Sequence, residues 1–469
     1  MKTDTKNPAD YIRAAVDFRA GVFDAIAEKN PGHIWSVSTF SNVRKVLIIN
    51  AASRSGSSLL FDLLKKNPEI YSLSGEGVPF LKLNGFTSDS FPSDEISREM
   101  SGDMARVLSL SRDFLSDCSV RTDPNDVFKD PELLDQYIDD VALRFPLQWP
   151  GCLLPYERLK IIFQDAFTRY RKNRLVFRAE EFYLELLSAL RNEDPSINPY
   201  YYDIPAGMVK EKFPGLEIPS GPPNAVLTIE EPPFIVLKPG RKINEQNLLE
   251  KTLLLKSSAD CYRMGFLETL FPCADIRVVC LIRNPAASIN GLYDGWLSPR
   301  GFFSRNLSSL NGGTAVQGKP VLAIQGYSDR YEWGVSWWKY EFPSGWENYL
   351  RSRLEEVCAF QWCSANKAVQ EYKRTSGKQN CQVRYENIIA NDALRKQEIE
   401  KILDLSGIPQ ISIHQMSLNS LPVIQATYPP FPFRWKKKEA ILKPVLESSS
   451  VNDVCVQLGY DRARMEEWL

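Results

Sequence analysis

A chain of 469 residues whose 57 basic and 58 acidic side chains nearly cancel has no general attraction to nucleic acid or to an anionic membrane surface. Apolar residues make up 43% of it, enough for a sizeable core and typical of an ordinary globular protein. It has no initial signal-type segment and no apolar run long enough to span a bilayer, so a cytoplasmic protein without a membrane anchor is expected.

Taken in order, the chain opens with apolar positions at helical spacing between Asp10 and Lys29 (Ile12, Val16, Phe18, Val22, Phe23, Ile26). They predict an amphipathic helix leaning on the core, in an N-terminal helical segment covering 1–42. The run Val43 to Ile49 is apolar and β-branched, as a buried parallel strand should be. Asn50-Ala51-Ala52-Ser53-Arg54-Ser55-Gly56-Ser57-Ser58 follows. Leu59, Leu60, Leu63 and Leu64 then lay one stripe along a helix that Pro68 stops. Strand, small-residue turn and helix point free backbone N–H groups at an anion, and the helix N-terminus adds about half a positive charge. Gly56 permits close approach, the seryl hydroxyls donate further bonds, and Arg54 brings full charge. The ATPase pattern is absent, because no Gly-x-x-x-x-Gly-Lys-[Ser/Thr] occurs here.

A second apolar strand near Ile70 leads into Gly75-Glu76-Gly77, a loop carboxylate between glycines that leave an acceptor room to approach. From 86 to 250 the pattern loosens into a region that reads as a substrate-shaping insertion. It contains helices over Phe128–Arg144 and Tyr156–Arg191 and a strand pair at Ala225–Ile229 and Phe234–Leu237. The core resumes with the strand Thr252–Leu255, ending in Lys256-Ser257-Ser258-Ala259-Asp260, and a helix over Tyr262–Leu270. The strand Ile276–Ile282 runs into Arg283-Asn284-Pro285. There Asn284 suits a helix N-cap and Pro285 a first helical residue. Arg283 is thus expected at the C-terminal end of a strand, the edge where open α/β sheets bind ligands.

Residues 293–331 are rich in Gly, Ser and aromatics and suggest a lid-like loop, while Trp333, Trp337 and Trp338 read as packing. A helix over Glu355–Tyr372, a strand Gln382–Glu386 and a helix over Ala393–Leu405 follow, the last stopped by Gly407 and Pro409. Phe431-Pro432-Phe433-Arg434-Trp435-Lys436-Lys437-Lys438 mixes cations with rings, a combination that suits a nucleotide. The nine cysteines are scattered without a Cys-x-x-Cys pair, which favours reduced buried thiols and no metal. His33 and His414 lie far apart in the sequence.

Four of these stretches, in this order, resemble the family of sulfotransferases that use 3′-phosphoadenosine 5′-phosphosulfate (PAPS), in particular its bacterial members. Arg54-Ser55-Gly56-Ser57-Ser58 resembles the 5′-phosphosulfate loop. Leu281-Ile282-Arg283-Asn284-Pro285 is similar to the motif carrying the 3′-phosphate Arg. Val383-Arg384-Tyr385-Glu386-Asn387 resembles the strand whose Tyr lies near the adenine. Phe433-Arg434-Trp435-Lys436, with Leu458-Gly459-Tyr460 beyond it, is similar to the closing C-terminal segment. The resemblance covers about 43–85, 251–292 and 380–469 and leaves out the insertion.

It implies an α/β fold with a central parallel sheet flanked by helices, P-loop-like, interrupted by a large, mostly helical insertion. It also implies sulfuryl transfer from PAPS, without a metal, to a small or carrier-tethered hydroxyl or amine acceptor, releasing 3′,5′-adenosine bisphosphate (PAP). On this resemblance Arg54, Ser55, Gly56, Ser57 and Ser58 hold the 5′-phosphosulfate. Arg283, Ser288 and Arg434 hold the 3′-phosphate, with Lys436 beside them, and Tyr385 and Trp435 flank the adenine. Ser288 stands in for the family's serine, whose place is taken by Gly291. Lys256 would stabilise the leaving oxygen. Glu76 matches the base of the carbohydrate-acting branch, and Asp260 stands where cytosolic members have His. Glu76 is preferred, then Asp260, then His33 and His414. The competing functions are a nucleotide kinase or ATPase on the same core, and a nucleotide-binding scaffold that has lost catalysis.

Overall fold

The computed structural model describes residues 7–29, 32–172, 174–309, 321–410, 413, 416, 418 and 421–468. His414 and part of the 293–331 stretch lie outside them. Nine strands are present among the described residues: β1 (Lys45–Ala51), β2 (Ile70–Ser72), β3 (Ser119–Val120), β4 (Arg241–Lys242), β5 (Thr252–Lys256), β6 (Asp275–Ile282), β7 (Phe303–Asn306), β8 (Trp337–Lys339) and β9 (Asn380–Arg384). Seven form one sheet in the order β4-β3-β2-β5-β1-β6-β9, and β7 pairs with β8 apart from it. Pairing is parallel from β2 through β9, whereas β3 and β4 add an antiparallel edge. The chain is therefore an α/β protein with a mostly parallel sheet flanked by helices.

Burial on both faces explains why β1 is apolar from Val46 to Ile49. Val46 and Ile48 join one core, while Leu47, Ile49 and Ala51 join another on the opposite face. The helices Ser57–Leu64 and Asp392–Ser406 cover the second core through Leu60, Leu63, Ile399 and Leu403. The first core takes Ala15 from the N-terminal helix Pro8–Lys29, Phe114 from Met104–Asp117 and Val369 from Leu354–Thr375.

Between 86 and 250 the helices Pro131–Gln148, Tyr156–Arg171 and Ala179–Leu190 build an aromatic core of their own. The single helix expected over Tyr156–Arg191 is thus two. The chain breaks after Arg171 so that the two apolar faces fold onto each other, with Phe182 meeting Phe163 and Phe167 at 5.0 and 5.7 Å.

The expected strand pair at 225–237 is absent. Pro232 and Pro233 have no N–H to give a ladder, and the segment donates elsewhere instead, Glu230 N–H to the Leu147 carbonyl at the end of the helix Pro131–Gln148 and Phe234 N–H to the Tyr201 carbonyl. Tyr385 and Glu386 do not end a strand as expected. They open the helix Tyr385–Ala390. Within 293–331 the helix begun at Pro285 runs on to Trp296, and β7 follows, so this stretch is partly regular structure.

Candidate functional site

Strand register brings the singled-out loops to one edge. Ala51 pairs with Leu281, Ile49 with Lys256 and Ile282 with Arg384. Their C-terminal ends therefore release the 52–58 loop, Lys256, Arg283 and Tyr385 side by side. Together they border a cavity of about 630 Å³, within the usual range for small-molecule sites.

In the 52–58 loop Gly56 caps the helix Ser57–Leu64 with φ 91°. A Cβ there would lie 2.1 Å from the Tyr385 ring, so close approach of backbone to ring requires glycine. Arg54 is left-handed too, at φ 63°. Every non-glycine residue with positive φ among those described belongs to this neighbourhood: Arg54, Phe302, Tyr340, Gln425 and Phe433. The first four line the cavity, and such strain concentrates at binding sites.

Arg54 lies 5.3 Å from the Phe302 ring centroid and donates to the Gln425 carbonyl at 2.9 Å and to Thr427 Oγ1 at 3.4 Å. Ser58 donates to Gln425 Oε1 at 2.8 Å. Ser57 and Ser58 line the cavity. The Ser55 hydroxyl does not serve as expected, because it is buried and closes the loop on the Ala52 carbonyl at 2.6 Å.

Lys256 donates to Ser58 Oγ at 3.0 Å and to Glu76 Oε1, while Ser257 Oγ donates to Glu76 Oε2 at 3.1 Å. One carboxylate is thus held by two donors from the end of β5, and its side chain stays 31% exposed in the cavity wall. The side-chain positions of the flanking glycines are already filled by protein. Arg144 and Ile235 pack on Gly75, and Phe114 packs on Gly77. Asp260 is buried behind this wall, where burial, opposed by Arg263, pushes it up to about 7. It does not line the cavity; Ser258 does. His33 lies elsewhere, stacked on Trp35 at 5.3 Å.

Arg283 donates to the Arg54 carbonyl at 2.9 Å and sits 4.4 Å from the Tyr385 ring centroid. Burial holds its guanidinium below the ordinary value, and its Nε has no partner. Asn284 caps the next helix by accepting from Ala287 N at 2.8 Å. Glu386 Oε1 accepts from Asn284, and its Oε2 accepts from Tyr460, tying the Arg-Asn-Pro turn to the C-terminal segment.

Ser288 is a correction. It is 1% exposed with an unpartnered hydroxyl, and its neighbours Ala287, Asn290 and Gly291 line the cavity in its place. Gly291 stays small because a Cβ would sit 3.1 Å from Arg54 Cβ. Arg434 reaches the cavity and pairs with Asp294 at 2.9 Å. Trp435 is a core anchor, 1% exposed and donating to the Trp468 carbonyl at 3.0 Å, although its edge borders the cavity. Lys436 pairs with Glu466 at 2.7 Å outside the cavity wall.

Several cavity residues escaped the sequence reading. Asn290 had a signal, since it stands four residues before Asp294 on the helix that follows Arg283. Gln425, Phe302 and Glu231 had none. Burial, with the Glu76 charge adding to it and Ser304 opposing, pushes Glu231 up to about 7. The rest of the wall is largely apolar, with Val78, Pro79, Ile229, Ile235 and Val423. Among the described residues no cluster of His, Cys, Asp and Glu suits a metal ion, and no helix is long and apolar enough to cross a membrane.

No protein-family model and no curated protein matches the chain. Two solved structures are similar to it. One is a sulfotransferase domain from the curacin biosynthetic pathway, 11% identical at TM-score 0.35, covering 89% of this chain and 99% of that one. The other is the sulfotransferase STF1 from Mycobacterium tuberculosis H37Rv, 12% identical at TM-score 0.32, covering 88% and 80%.

Proposed function

We propose that the protein is a sulfotransferase that moves a sulfuryl group from PAPS to a hydroxyl or amine of a small or carrier-tethered acceptor, releasing PAP. The observation that carries this reading is the convergence of Arg54, Arg283 and Lys256 on one cavity with a phosphate-type loop and a held carboxylate. Among the described residues neither Arg54 nor Arg283 forms an ion pair, and the orphaned Arg283 Nε suits an anionic ligand. PAPS supplies a sulfuryl group activated by its bond to phosphate.

The chain's own residues then have separate tasks. Backbone N–H groups of the 54–58 loop, Arg54 and the Ser57 and Ser58 hydroxyls bind the 5′-phosphosulfate. Arg283 and Arg434 bind the 3′-phosphate, and Tyr385 offers its ring to the adenine. Glu76 takes the proton from the acceptor as the acceptor atom bonds to sulfur. Lys256 neutralises the electron pair left on the bridging oxygen when the S–O bond breaks. Glu76 is preferred to Asp260 because only Glu76 lines the cavity.

Thermal unfolding with PAP, with Mg-ATP and without ligand tests the donor class. A ligand at a hundred times its Kd adds about 2.7 kcal/mol, and PAP alone is expected to raise the midpoint. A shift with Mg-ATP only would replace this reading with a kinase, and no shift with either would leave the loop a structural turn.

A further inference from the structure

The first amide of the phosphate loop is held from far along the chain: Ser53 N–H donates to Glu341 Oε1 across 288 residues. Glu341 is 2% exposed and forms no ion pair among the described residues. A buried carboxyl without a cation is costly, and packing alone would favour an apolar side chain. The backbone that delivers it is clamped. Gln361, on the helix Leu354–Thr375, donates to the carbonyls of Lys339 and Glu341 at 2.8 and 2.7 Å. Trp338 Nε1 donates to the same Glu341 carbonyl at 2.7 Å. Between them Tyr340 is held at φ 61°, its ring stacked 4.7 Å from Phe302, and strain of this kind persists only where the surroundings impose it.

Glu341 Oε2 has no protein partner, and the residue lines a polar pocket of about 30 Å³, large enough to admit water. Asp89, Arg263 and Tyr340 line the same pocket, each with an unpartnered buried polar atom, and Glu76 borders it as well.

We propose that Glu341 is a positioning residue of the phosphate loop, fixing its first amide so that Arg54 and the start of the helix Ser57–Leu64 keep the geometry that receives an anion. This rests on the nucleotide-site reading above. Glu341→Met fills the same volume but removes the acceptor, whereas Glu341→Gln keeps it. PAP and inorganic pyrophosphate are titrated calorimetrically into wild type and both variants, with the unfolding midpoint of each recorded.

The expected result is an affinity at least tenfold weaker for E341M and within threefold of wild type for E341Q, at similar midpoints. Gln361→Leu, which loosens the clamp without touching the loop, is expected to weaken binding in the same direction; it carries the comparison should E341M fail to fold. Unchanged affinity in the folded acceptor-free variant overturns the proposal, as does equal loss in E341Q. Wild type binding pyrophosphate but not PAP would overturn the donor reading and still leave the Glu341 comparison readable. Binding of neither would overturn both.

Discussion

Glu76 is held by Lys256 and Ser257 at the end of β5, so its lone pairs are ordered before any acceptor arrives. Glutamine preserves an oxygen for those donors and cannot take a proton. Glu76→Gln is therefore expected to lower kcat by about 10²- to 10⁴-fold while PAP affinity stays within about threefold, measured by steady-state PAP release and direct titration. Asp260→Asn should leave kcat nearly unchanged, because Asp260 lies behind the cavity wall. Near-normal turnover in E76Q would place the base elsewhere. At this scale the sequence was informative wherever a residue's place at the cavity follows from its own loop. Arg54, Gly56, Glu76, Lys256 and Arg283 all reach the cavity. Ser288 was misjudged because which face of a helix meets a cavity depends on what packs against it.

Segments meet at the site in a way no local pattern records. The described stretch 421–434 meets the 52–58 loop, and its Gln425, at φ 48°, accepts from both Arg54 and Ser58. Those are the donors assigned to the 5′-phosphosulfate, so ligand and Gln425 compete for them. Gln425→Ala removes the side-chain acceptor for Ser58, a bond of the kind worth about 0.5–1.5 kcal/mol net. PAP affinity is expected to rise by about two- to tenfold in calorimetric titration, and a fall would mean that Gln425 assists binding. The helix break after Arg171 and the missing strand pair at 225–237 belong to this scale as well. Helical spacing persists across a turn when both halves are amphipathic, and apolar residues in a proline-rich coil mimic a strand by composition alone.

Across the molecule, Glu231, Asp260 and Glu341 are all raised to about 7, each chiefly by burial. In the unfolded chain such carboxyls titrate near about 4. The folded state thus holds protons that the unfolded state has lost between those values. Their contribution to stability is complete below about pH 4 and is lost as pH rises through about 7. Each contributes a slope of up to about −1.4 kcal/mol per pH unit in that window. Denaturant unfolding of Glu231→Gln and Asp260→Asn between pH 5 and 7 is expected to show a correspondingly flatter decline than wild type. An unchanged slope would mean that these carboxyls stay ionised in the fold.

The sequence by itself determined the α/β class, the loop that follows β1, the capped turn at Asn284 and the stretches that supply cations and a carboxylate. Those features are local: a strand–turn–helix passage, a cap and an apolar period are each written within a dozen neighbouring residues. Only the tertiary structure decided that Lys256 grips Glu76, that Tyr385 lies over Gly56, that Glu341 and Gln425 accept hydrogen bonds from the 52–58 loop, and that Ser55 and Ser288 stay out of the cavity wall. Such contacts join residues up to 371 positions apart. They are set by strand order, register and packing, which no spacing along the chain encodes.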